Sequence, residues 1–202
     1  MSSEPTPARI ELGALRLFMS QGVKKTDLAE VAYQAGVTRI TVYRHCGNRR
    51  GLVHAVCRRI AQIYQDAAED KPGESVRDID ARLKHLGEEL AALPPGNLLA
   101  MLEEVSRLYP DIYEEFRLAR RAAVDKIFRH ALAAAAREGT LREGLNREVL
   151  KAIFWAAIIG LIENPTLISS NVPLKEIFAT VTDLFRYGIL KSSPGAKRHG
   201  QS

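Results

Sequence analysis

Two cysteines among 202 residues leave this chain without a disulfide framework, as suits a reducing compartment. Cys46 and Cys57 also fit no paired ligand spacing. His45 and His54 lie near them, but closed zinc sites repeat tighter Cys/His pairs. Each cysteine reads as a small buried hydrophobe, and no metal or cofactor is expected. Long apolar runs are scarce too. The greasiest segment, AIFWAAIIGLI from Ala152, sits between Lys151 and Glu163 and falls short of the roughly 20 residues that span a bilayer. No cationic start leads into an apolar stretch, so the sequence predicts no signal peptide, no membrane partner and a soluble, cytoplasmic protein. Catalytic signatures are missing as well: there is no GxSxG, HExxH, Walker loop or GxGxxG. Glu103 with Glu104, and Glu114 with Glu115, read as helix-surface charge. An enzyme is not expected.

Acid is missing where it matters most. From Thr38 to Arg50 the chain holds Arg39, Arg44, Arg49 and Arg50 with no carboxylate between them. Residues 1–60 carry ten Lys/Arg against four Asp/Glu, whereas the remainder carries 19 against 20. The net charge of +5 is therefore an N-terminal property. A field confined in this way draws a polyanion to one face. At 46% hydrophobic residues, the chain can bury a sizeable core in one or two domains.

What is present is helical periodicity, almost throughout. Ile10, Ala14, Leu17 and Phe18 form one stripe, which Gly22 ends. Thr26 is placed to cap a second helix with core face Leu28, Val31, Ala32 and Ala35, followed by a tight turn at Gly36. Thr38 caps a short third helix with Val42 inward, and Asn48 caps a fourth running from about Arg49 to Glu69. Breaks at 70–73 and 93–96 flank a helix restarted by a capping-box-like Ser75 and Asp78. A long helix spans 111–138, another 147–163 and a last one 174–190, with Pro165 and Pro173 bracketing a connector. About nine helices result, in an all-α fold, and residues 192–202 read as a disordered tail. Helix 147–163 is apolar nearly all round and must be covered on every side. It is either the central core helix of a monomer or part of a contact with a second subunit.

The first 60 residues resemble the DNA-binding domain of the tetracycline-repressor (TetR) family. The matching positions are Ala14, Leu17, Phe18, Gly22, Thr26, Ala35, Gly36, Val37, Thr38, Val42, Tyr43, His45, Asn48, Arg49 and Leu52. Four residues depart from the pattern: Cys46 for a usual phenylalanine, Val23 for a common aromatic, Asp27 for a frequent Thr/Ser, and Glu11 at a usually apolar position.

The resemblance implies a three-helix helix-turn-helix domain over 1–52, joined through the fourth helix (49–69) to a larger effector-binding and dimerisation domain over 53–191. It places the recognition helix at Thr38–His45. DNA contacts are then expected from Thr26, Thr38, Arg39, Ile40, Thr41, Tyr43, Arg44, His45, Asn48, Arg49 and Arg50. Among these, Arg39 and Arg44 are suited to guanine edges or phosphates, Ile40 and Thr41 to thymine methyls, and Arg49 to a phosphate. A homodimer on a pseudo-palindromic operator follows, with Ile158, Ile159, Ile162, Val181, Leu184 and Phe185 as interface candidates. Leu102, Tyr109, Phe116, Phe128, Phe154 and Trp155 are the candidate lining for a small-molecule effector, or alternatively ordinary core. The function implied is a repressor released from its operator by a small apolar ligand. The alternatives are an effector-independent regulator and a helical protein-interaction module.

Overall fold

A computed structural model describes residues 5–162, 164–169, 172 and 174–189. The described residues form ten helices: α1 (Thr6–Gln21), α2 (Leu28–Ala35), α3 (Arg39–Cys46), α4 (Arg49–Ala67), α5 (Val76–Ala91), α6 (Leu98–Leu108), α7 (Pro110–Arg137), α8 (Arg147–Ile162), α9 (Pro165–Ser169) and α10 (Leu174–Ile189). The fold is all-α. Two of the ten have no counterpart among the helices placed from the sequence: α6, between the break at 93–96 and Pro110, and α9, inside the connector read from the two prolines. Pro165 opens it with φ already set, and Asn164 Oδ1 accepts the N–H groups of Thr166 and Leu167.

Local chemistry sets most boundaries. α1 buries Ile10, Ala14, Leu15 and Phe18, while Leu17 is only half-buried. It crosses close to α2, since a Cβ on Gly13 would lie 3.3 Å from the Cβ of Gln34. The cap of α2 falls one residue later than the sequence suggested. Asp27 accepts from Ala29, and Glu30 reaches back to the Asp27 amide in a capping box. Thr26 instead turns inward, 2% exposed, and its hydroxyl donates to the carbonyl of Gly22 at 2.8 Å. Gly36 then takes the left-handed conformation, φ 62°, and closes α2. Thr38, Asn48 and Ser75 cap α3, α4 and α5 as expected.

α4 starts in the N-terminal head and ends in the body, where it packs along α7 and α5, and α10 lies over α5. One apolar core runs from Ile10 through Val42, Leu52 and Ile60 to Phe116 and Ile127. The six candidate pocket residues do not surround one point. Phe116 and Phe128 are twelve residues apart on α7, about 18 Å along the axis at the α-helical rise. Leu102 lies on α6, Tyr109 at the junction of α6 with α7, and Phe116 on the first half of α7. At the other end Phe128 stacks on Phe154 with centroids 4.5 Å apart, and Phe154 meets Trp155 edge-on at 5.8 Å.

Nor does the single chain cover its last helices. Ile153 on α8 is 56% exposed and Leu184 on α10 is 68% exposed, while Val181 is half-buried. The side chains of Ile158, Ile159, Ile162 and Phe185 lie outside the described residues, as does the expected tail. No helix among the described residues is long and apolar enough to cross a membrane.

Candidate nucleic-acid interface

Val42 is the only fully buried side chain of α3 and anchors this helix to the head. Its burial is worth about 1.5–3 kcal/mol. With that one face turned inward, Arg39, Ile40, Tyr43 and Arg44 are exposed, Ile40 to 76%. The Arg39 guanidinium lies over the Tyr43 ring, 5.6 Å from its centroid, and donates to the phenol oxygen at 3.4 Å. Its pKa is raised, first by that hydrogen bond. Thr38 accepts the Thr41 amide at 3.2 Å, and the two hydroxyls lie 2.9 Å apart.

The rest of the basic cluster is engaged with the protein itself. His45 Nε2 lies 3.5 Å from the Glu11 carboxylate, which also lies 3.5 Å from Arg59. Arg49 donates to the Lys24 carbonyl at 3.1 Å. Arg50 turns away from α3 to pair with Asp111 at the start of α7, and its guanidinium lies 6.0 Å from the Tyr109 ring centroid. That partner holds the Asp111 carboxyl below the usual carboxylate range. Asn48 Oδ1 is spent on the Gly51 amide. Thr26 is sequestered, as described above. Of the expected contacts, Thr26 is buried and Arg49 and Thr41 are half-buried; His45, Asn48 and Arg50 are exposed but engaged with the protein, which leaves Thr38, Arg39, Ile40, Tyr43 and Arg44 as the outward set on α3.

The sequence that builds this surface is matched by a family model, "Bacterial regulatory proteins, tetR family", over residues 12–56. The HTH-type transcriptional regulator TtgR of Pseudomonas putida is 29% identical over 184 residues, 85% of each chain. Residues 12–56 thus form a DNA-binding domain of the TetR type. The chain is a DNA-binding transcriptional regulator and not an enzyme. Among solved structures, SmeT, the repressor of the Stenotrophomonas maltophilia multidrug efflux pump SmeDEF, has the same fold. Its TM-score is 0.62 at 23% identity, with 98% of each chain covered. FadR from Bacillus subtilis, in complex with stearoyl-CoA, gives a TM-score of 0.59 at 18% identity, covering 90% of this chain and 98% of that one.

Within this TetR-type head, the four departures from the family pattern have structural roles. Glu11 bridges His45 and Arg59, tying the end of α3 to α4. Asp27 is the α2 cap. Val23 is fully buried. Cys46 is half-buried, and its thiol donates to the Val42 carbonyl at 3.0 Å.

Three features escape a local reading of the sequence. A Cβ on Gly51 would overlap the carbonyl oxygen of Cys46, so only glycine lets α4 start against the end of α3. Tyr33, three residues before Gly36, is almost fully exposed on α2. Glu104 and Glu115 are not simple surface charge: Glu104 binds the turn after α1, and Glu115 meets His54 Nε2 at 3.0 Å. The partners lie 61 to 81 residues apart in sequence, beyond the reach of any local pattern.

Proposed function

We propose that this chain is a homodimeric transcriptional repressor of the cytoplasm whose α3 reads an operator in the major groove. A head over residues 1–52 would carry the reading surface, and a body over 53–191 would carry the effector and dimer sites. The observation that carries the reading is the exposed, acid-free face of α3, with Arg39, Ile40, Tyr43 and Arg44 outward and Val42 inward. A helix of that kind offers bidentate donors to guanine and an apolar contact to thymine. In this reading His45 and Arg49 position the helix, and Arg50 ties head to body.

Effector control is supported by the aromatic group at the far end of α7. Phe128, Phe154 and Trp155 lie together, with Arg121 5.1 Å from the Trp155 centroid and Asp125 accepting from its indole N–H. SmeT is known in complex with triclosan, and FadR in complex with stearoyl-CoA, both apolar over much of their length. A small ligand that favours a subunit arrangement unsuited to the operator would release the DNA. Dimerisation is supported by the bare apolar side chains Val149, Ile153, Leu184 and Tyr187 on α8 and α10.

Selection of bound duplexes from a random pool tests the reading, followed by titration of the winner across salt. The expected result is a pseudo-palindromic site and a fall in log affinity of several units per log unit of salt, about 0.9 for each phosphate neutralised. Failure to enrich any duplex would refute it.

A further inference from the structure

We propose that Glu104 is a positioning residue for the DNA-reading head, a clasp by which α6 grips the corner between α1 and α2. The proposal rests on the reading above, in which α3 is the recognition helix. The Glu104 carboxylate accepts two successive main-chain amides, Val23 N–H at 2.8 Å and Lys24 N–H at 3.0 Å. Each oxygen takes one donor. Hydrogen bonds to an ionised acceptor are roughly twice as strong as neutral ones, and two convergent donors fix orientation as well as distance.

The corner is shaped for that carboxylate. Gly22 stands at φ 93°, and a Cβ there would lie 2.8 Å from Glu104 Oε2, so the bare glycine admits the acid. Nearby, a Cβ on Gly96 would lie 2.6 Å from that of Met19, which brings the loop before α6 onto α1 as well. Lys24 is then gripped at both main-chain ends. Its N–H is held from α6, and its carbonyl takes the Arg49 guanidinium at 3.1 Å. Arg49 opens α4 directly after the end of α3. A line of polar contacts therefore runs from α6 through Glu104, Lys24 and Arg49 to the junction of α3 and α4.

Glutamine is the informative replacement. It keeps one acceptor but turns an NH₂ group toward the second amide. Full-length Glu104→Gln is compared with the parent and with Glu103→Gln, its exposed neighbour. Three readouts are taken: amide hydrogen exchange, melting temperature and affinity for the duplex selected by the parent. Release of the clasp predicts exchange of Val23 and Lys24 about tenfold faster, with body amides unchanged, and operator affinity about tenfold weaker. Glu103→Gln behaves as the parent. Glu104→Asp, which keeps the charge but withdraws it by one methylene, shifts both readouts the same way.

Operator affinity equal to the parent's once those amides are freed overturns the proposal, as does exchange that stays slow at Val23 and Lys24. Exchange raised evenly through the chain, with a lower melting temperature, reduces Glu104 to a general stabiliser and also overturns it. A parent that binds no duplex is a separate outcome: it refutes the function itself.

Discussion

Arg39 owes its position to one neighbour a helical turn away. Stacked on Tyr43 and bonded to its hydroxyl, the guanidinium loses little freedom when it meets a base, because part of the ordering is done in the free protein. Arg39→Ala should weaken operator binding roughly tenfold or more and relax preference at one base pair, if the group reads guanine. Should it hold a phosphate instead, every sequence loses alike and the salt slope drops by about one. Tyr43→Phe, which keeps the ring and removes the hydroxyl, separates stacking from the hydrogen bond. At the other extreme stands Cys57, whose thiol is pushed up to about 12, first by burial and then by the charge of Glu115. An acid whose native pKa is raised favours folding while it stays protonated. That stability is complete below the ordinary thiol value and is lost as pH climbs toward 12. Iodoacetamide at pH 8 should therefore leave Cys57 unmodified in the native protein and label it only on unfolding. Rapid native labelling would contradict the burial.

Among the elements, the elbow from α3 into α4 is the most constrained. Asn48 caps α4 through the Gly51 amide, and Gly51 lies against the Cys46 carbonyl with no room for a side chain. Gly51→Ala would ordinarily help a helix by about 0.5–1 kcal/mol. Here it should do the reverse, lowering the melting temperature and prising α3 from its seat, so that operator affinity falls further than stability does. Thermal unfolding and operator titration on the one variant check both parts. The elements show what the sequence could and could not disclose. Thr38, Asn48 and Ser75 were legible as caps because each stands before a helix with its acceptor three residues from the amide it binds. Thr26 and Asp27 were not separable, since either residue type caps. The choice is made by the Gly22 carbonyl drawing Thr26 inward. Arg50 read as a DNA contact because the charge run continues through it, and only the fold brings Asp111 beside it. Local grammar gives helices and caps, whereas the roles of Arg50, Glu104 and Glu115 depend on partners more than 60 residues away.

For the whole molecule, the question is what covers α8 and α10. α10 lies on α5, yet Leu184 and Tyr187 face outward, as do Val149 and Ile153 on α8. Large apolar side chains left bare on both α8 and α10 are what a contact with another subunit would cover. A second copy related by a two-fold axis buries such a patch against itself. It also sets two heads at a fixed spacing. One helix-turn-helix reads few bases, so coupling two of them supplies affinity that neither has alone, by factors of about 10² to 10⁴ when the geometry matches. Leu184→Glu isolates this term. The side chain is 68% exposed in the single chain, so a charge there should cost the protomer's own fold little. In a dimer it would place two like charges near the axis in a desolvated seam. Sedimentation should then show a monomer with the parent's helical content. Binding to the full operator should collapse toward that of a half-site, while binding to an isolated half-site is unchanged. A variant that stays dimeric and holds the full operator as tightly as the parent would move the interface off this patch.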